Sequence, residues 1–170
     1  MVANERRSAM NVFDYAMKME LEGEEYYRGL AEATPHPGLK TIFTNLAADE
    51  RKHFETFRAL KGGISDPIPE SSTLESSRNI FEKLVDGEIE SPTLEHSLDG
   101  YRHGMENEAE SAKFYEDAAK REKDENVARL IRRIADEEWD HYRVLENLYQ
   151  YTLAPQNYLA WGEFGNLKAL

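Results

Sequence analysis

The sequence predicts an all-α protein: a four-helix bundle of two antiparallel helix pairs, joined by a long crossover that contains a short helix. Three observations predict it. Apolar residues recur with helical period through most of the 170 residues, and strand-like alternation is almost missing. Helix breakers fall at only a few places and separate four long periodic segments. The connections inside each pair are short, whereas about 30 residues lie between the second long segment and the third.

The first helix is expected from about Glu5 to Ala33, ended by "TPHPG", whose two prolines and glycine break a helix. The second runs from about Leu39 to Lys61 and is stopped by Gly62 and Gly63. "GGISDPIPESS" is a connection, after which Ser72 and Glu75, at capping-box spacing, begin a short helix from Thr73 to Val85. Ser91 and Pro92 open the third long helix, which continues to about Lys123. Asp124 caps the fourth, which reaches Leu153 and ends before Pro155. A helix of about 23 residues is about 34 Å long, a distance that about 30 residues of crossover span easily. The third helix can therefore start at the end of the bundle where the second started. Residues 1–153 are assigned to the bundle and 154–170 to an aromatic tail with no readable function.

Composition narrows the function. Apolar residues make up 40% and charged residues 32%, and no apolar run approaches the ~18 residues of a membrane span. The N-terminus lacks the apolar core of a secretory signal, so a cytoplasmic protein that engages no membrane is expected. Cysteine is absent, which excludes disulfides, thiolate zinc sites, iron–sulfur clusters and cysteine nucleophiles. A net charge of −12 disfavours nucleic acid, whose phosphates it would repel.

The chain repeats itself at an offset of 88 residues. "AMKMELEGEEYYRGLAEA" falls on "GMENEAESAKFYEDAAKR", and "NLAADERKHFETFRAL" falls on "RIADEEWDHYRVLENL". Glu20 meets Glu108, Tyr27 meets Tyr115, Glu50 meets Glu138 and His53 meets His141. A helix pair repeated only for packing would keep apolar positions and let glutamates drift. Here the polar positions recur. About one Glu-x-x-His is expected by chance in this composition; two in register, each with Glu and Tyr at matching distances, form a pattern.

All six Glu and His positions interrupt apolar stripes. Phe13, Met17, Glu20, Tyr27 and Leu30 share one helical face, as do Tyr101, Met105, Glu108 and Tyr115. The second helix offers Phe43, Leu46, Glu50, His53 and Phe57; the fourth offers Ile131, Ile134, Glu138, His141 and Leu145. Four carboxylates in a bundle core each cost several kcal/mol to desolvate and repel one another. They are protonated, or reach solvent, or have cations among them. Two divalent ions balance the four charges, and six side chains suit a pair of metals about 3.5–4 Å apart. Carboxylate and imidazole without sulfur fit iron or manganese better than calcium. Glu50 and Glu138 are the expected bridges. Asp49 and Glu137 can reach the free ring nitrogen of the histidine on the opposite helix, and Tyr27 and Tyr115 can hydrogen-bond a ligand carboxylate. The alternatives are ordinary ones: solvated glutamates, satisfied core histidines and core tyrosines.

"KMELEGEEYYRGLAE", "LAADERKHF", "ENEAESAKFYEDAAK" and "ADEEWDHY" resemble the four helix signatures of the rubrerythrin family of ferritin-like di-iron proteins, over about residues 10–150. The resemblance implies a ferritin-like bundle holding two iron ions, with manganese or zinc accepted in the isolated protein. It implies hydrogen peroxide or oxygen as substrate, a homodimer, and no catalytic groups beyond the metal ligands and their hydrogen-bonded neighbours. Two departures stand out. Rubrerythrins commonly carry a four-cysteine rubredoxin domain, so here a separate electron donor, such as a rubredoxin-like protein, is expected. The third helix usually supplies a further carboxylate one turn after the first, where this chain has Ser111; Glu110 lies on another face, and Glu24 is only a loose substitute.

The leading expectation is therefore a di-iron oxidoreductase that reduces hydrogen peroxide or oxidises ferrous iron. An iron-binding or storage module, acting within a larger assembly, is the alternative, and a metal-free structural bundle the third. Trp139, between Glu138 and His141 in sequence, and the crossover positions Ile80, Phe81 and Leu84 need apolar cover, which a second copy would provide.

Overall fold

The computed structural model describes residues 11–88 and 98–153. Within them are five helices and no strand: α1 (Val12–Ala33), α2 (Pro37–Lys61), α3 (Thr73–Val85), α4 (Leu98–Arg121) and α5 (Glu125–Leu153). The expected helix opening at Ser91–Pro92, the tail 154–170 and the residues from Glu5 to Met10 lie outside the described residues.

Local chemistry accounts for the ends. Asn11 caps α1 by accepting from the Phe13 amide at 3.0 Å. Pro37 does not end a helix but begins one: it occupies the first turn of α2, where its missing N–H is no loss, and the His36 ring accepts from the Leu39 amide. At the other end Gly63, with φ +81°, reverses the chain so that Ile64 N–H reaches the Ala59 carbonyl. The capping box expected at Ser72 is not formed. Ser72 makes no side-chain cap, and the Ser71 hydroxyl instead accepts from Thr73 N–H at 3.1 Å. Asp124 caps α5 as its sequence position predicts, accepting from Asn126 and Val127.

Helix α1 packs chiefly on α2 and α4 chiefly on α5. Ring contacts set the directions: Phe43 meets Tyr101 and Phe57 meets Tyr115, so α2 and α4 run parallel. Phe13 meets Phe57, which makes α1 antiparallel to α2. The chain therefore crosses the length of the bundle between α2 and α4. On the way α3 packs against α2 and α5. Phe81 and Leu84 are buried within this same chain, so they need no second copy for cover. Trp139 also finds partners at home: its ring N–H donates to Glu116 at 2.8 Å, and its edge meets Tyr142.

The core is in two parts. One apolar cluster contains Ile42, Phe43, Leu46, Tyr101, Leu145 and Leu148; the other contains Ala16, Phe57, Leu60, Tyr115, Ile131 and Ile134. Each fully buried large side chain contributes about 1.5–3 kcal/mol. The gap between the clusters on every long helix is where the glutamates and histidines sit.

Candidate metal centre

Along α2 the inward stripe runs Leu46, Glu50, His53, Phe57; along α5 it runs Ile134, Glu138, His141, Leu145. Glu20 of α1 and Glu108 of α4 complete the ring. All six side chains are buried, none more than 4% exposed. Their ligating atoms form two groups, each with its members within 4.8 Å of one another: Glu20, Glu50, His53 and Glu138, and Glu50, Glu108, Glu138 and His141. Glu50 and Glu138 belong to both groups. The 88-residue repeat has become a pseudo-two-fold axis through the centre, with the two stacked imidazoles 5.7 Å apart.

Both histidines point Nδ1 inward and Nε2 outward. His53 Nδ1 lies 2.7 Å from Glu138 and 3.5 Å from Glu20; His141 Nδ1 lies 3.1 Å from Glu50 and 3.7 Å from Glu108. Outward, His53 Nε2 is 2.9 Å from Glu137 and His141 Nε2 is 3.4 Å from Asp49, each on the opposite helix. Tyr27 donates its hydroxyl to Glu108, and Tyr115 donates to Glu20. The structure thus brings together every residue that the repeat singled out, including the four neighbours of the carboxylate and imidazole cluster.

The electrostatics are those of a cluster short of positive charge. Burial, then Glu108 and Glu20, raise the Glu50 carboxyl well above its ordinary range; burial, then Glu50, Glu108 and Glu20, do the same to Glu138. Burial alone would lower both histidines, but the surrounding carboxylates, led by Glu138 for His53 and Glu108 for His141, outweigh it and raise them. Burial also raises both tyrosine hydroxyls, helped by the same carboxylates, so they stay protonated and donate. Asp49 and Glu137 go the other way. Their burial is outweighed by the histidine that each faces, and both stay ionised.

A test of fit comes from atoms without partners. Glu20 Oε2, Glu50 Oε1, Glu138 Oε1 and both Nδ1 atoms are buried and make no hydrogen bond, despite lying close to one another. Each buried polar atom left so costs about 1–3 kcal/mol. Cations among them would satisfy all five, and oxygen with imidazole nitrogen is a donor set for iron, manganese or zinc. The residues present fit a pair of divalent ions.

Several features escaped the sequence. Asp49 accepts from Ser71 and Thr73 of the crossover and from Lys52 at 2.8 Å, so one histidine is backed by the chain segment entering α3. Its repeat partner Glu137 pairs, among the described residues, with His53 and Arg133, and its side chain is 13% exposed. Glu24 is buried but belongs to neither group; it turns to Arg28 and to Arg51 at 2.8 Å, so it does not replace the carboxylate missing at Ser111. Gly23 packs directly against Glu50: a Cβ there would sit 2.8 Å from Glu50 Oε2. A glycine inside a long helix was the available signal.

A four-helix bundle in which two helices each supply a Glu and two each supply a Glu-x-x-His is the architecture of the ferritin-like dinuclear carboxylate proteins. Within that class the model of the family described as Rubrerythrin matches residues 11–149, and the chain belongs to this family. The matched span shows no rubredoxin domain. No curated protein and no solved structure matched the chain.

Proposed function

We propose that this chain is a di-iron oxidoreductase of rubrerythrin type, which reduces hydrogen peroxide or oxidises ferrous iron. Glu20, Glu50, His53, Glu108, Glu138 and His141 would hold the ions, with Glu50 and Glu138 bridging. The observation that carries this reading is the sharing of Glu50 and Glu138 between two four-residue groups whose inward atoms lack partners. Two ferrous ions, when bound, would supply two electrons to an O–O bond; peroxide and two protons then give two waters. A rubredoxin-like redox protein would return the electrons.

The protein's own residues prepare the centre. Ionised Glu137 and Asp49 accept from Nε2 of His53 and His141 and so turn the Nδ1 lone pairs inward. Tyr27 fixes one oxygen of Glu108, and Tyr115 fixes one oxygen of Glu20, whose Oε2 is buried without a hydrogen-bond partner. The apolar clusters above and below exclude bulk water. Anaerobic loading should give two ferrous ions per chain, reoxidised rapidly by one peroxide. Loaded protein inert to both peroxide and oxygen would refute the proposal. Uptake continuing well beyond two ions would favour storage.

A further inference from the structure

The geometry points to the groove between α1 and α4 as the route by which small oxidants reach the centre, with Ser111 and Gly23 as the residues that keep it open. This rests on the oxidoreductase reading and adds where its substrate binds. The cluster has two sides. On the α2/α5 side, Glu137 and Asp49 cover the histidine Nε2 atoms, and Ser71 and Thr73 close over Asp49. A cavity of about 280 Å³ there touches His141 but none of the four cluster carboxylates. On the α1/α4 side, a cavity of about 400 Å³ reaches down to Glu50 and Glu108 themselves.

Its floor exists because two residues are small. Gly23 and Ser111 occupy equivalent positions of the repeat, three residues after Glu20 and Glu108, and both line this cavity. Glu50 lies against the α1 backbone at Gly23, where any side chain would collide with its carboxylate. Glycine inside a helix costs about 1 kcal/mol relative to alanine, so this close approach is maintained against helix propensity. The walls suit a small uncharged molecule: Asn107, Ser111 and His103 are polar, Tyr15 and Met19 are mostly apolar, and the acidic Glu22 and Glu110 repel anions. Neutral hydrogen peroxide and dioxygen meet no repulsion from a protein of net charge −12.

The test uses nitric oxide, a small neutral ligand, and peroxide on the full chain loaded with iron. Ser111→Leu fills the floor, Asn107→Leu fills the mouth, and Glu70→Leu fills the cavity on the opposite side. The ferrous protein is mixed anaerobically with nitric oxide, and separately with peroxide, in stopped flow, and each reaction is followed by visible absorption. Iron content is measured for each variant. Ser111→Leu should keep two irons and slow both nitric oxide binding and reoxidation at least tenfold, with Glu70→Leu within twofold of the parent. If Ser111→Leu fails to hold two irons, Asn107→Leu decides by the same criteria. Nitric oxide binding and reoxidation within twofold of the parent in the groove variants, a parent that takes no nitric oxide, or a tenfold loss in Glu70→Leu would overturn the route. Nitric oxide binding that depends on Ser111 in a protein inert to oxidants would sink the oxidoreductase reading and leave the groove as the entry for small neutral ligands. A parent that binds no iron would overturn both.

Discussion

Glu50→Gln should make the metal-free protein more stable at neutral pH and leave it unchanged near pH 4.5. Glu50 is 3% exposed, and burial, then Glu108 and Glu20, raise its carboxyl well above the ordinary 4.5. Between those values the folded chain holds a proton that the unfolded chain releases. Stability from a group raised in this way is fully present below its unfolded value and is lost as pH rises toward its folded value. Each pH unit over which the proton is retained costs about 1.4 kcal/mol, so the penalty grows as pH rises above 4.5. Glutamine has nearly the same shape, cannot ionise and escapes that cost. For a domain of this size 1 kcal/mol moves Tm by about 2–4 °C, so the metal-free variant should gain about 3–6 °C over the metal-free parent for each pH unit over which Glu50 keeps its proton. Thermal unfolding in chelator at pH 4.5, 5.5 and 7 measures the difference. With metal the order reverses: ions at a hundred times their Kd add about 2.7 kcal/mol per site to the parent, and the variant forfeits that. A gain as large at pH 4.5 as at pH 7 would refute the proton argument. No gain at any pH would refute the view that Glu50 strains the metal-free fold.

Other outcomes follow from the same geometry. His53 and His141 each sit in one ligating group only, so replacing either by alanine should lower the metal content from two toward one per chain, whereas Glu138→Ala should remove both, by elemental analysis. Tyr27→Phe and Tyr115→Phe each leave a carboxylate loose and should weaken metal binding about 10–100-fold in competition titrations with a chelator, with helical content unchanged. Asp49→Ala should destabilise the protein by about 2–3 kcal/mol in urea, because Ser71, Thr73 and Lys52 all lose their acceptor; Glu137→Ala, partly exposed, should cost less. Asp49 is held below its ordinary 3.8 by His141, Lys52 and Ser71, which outweigh its burial, so its contribution persists above that pH and disappears as pH falls through its folded value.

Helix periodicity and the 88-residue repeat were sufficient for the bundle, the order of its helices and the cluster of six, because each of these depends on spacing along a single helix. The same spacing located Tyr27, Tyr115, Asp49 and Glu137, since the repeat places them at matching distances. Helix starts were less legible. Pro37 reads equally as a breaker or as a first-turn residue, and Ser71 and Ser72 compete for the same cap; which serine caps is settled by the Asp49 carboxylate above them, 22 residues back in the chain.

What the sequence determined by itself was which side chains face inward and how the two halves correspond, because a rigid helix converts residue number into direction. Only the tertiary structure decided which nitrogen of each histidine faces the centre, that the crossover closes the Asp49 side, that Glu24 turns to two arginines, and that a cavity beside Gly23 and Ser111 opens onto Glu50. Each of these depends on the distance between different helices. That distance is set by packing across the bundle, which no spacing within one helix records.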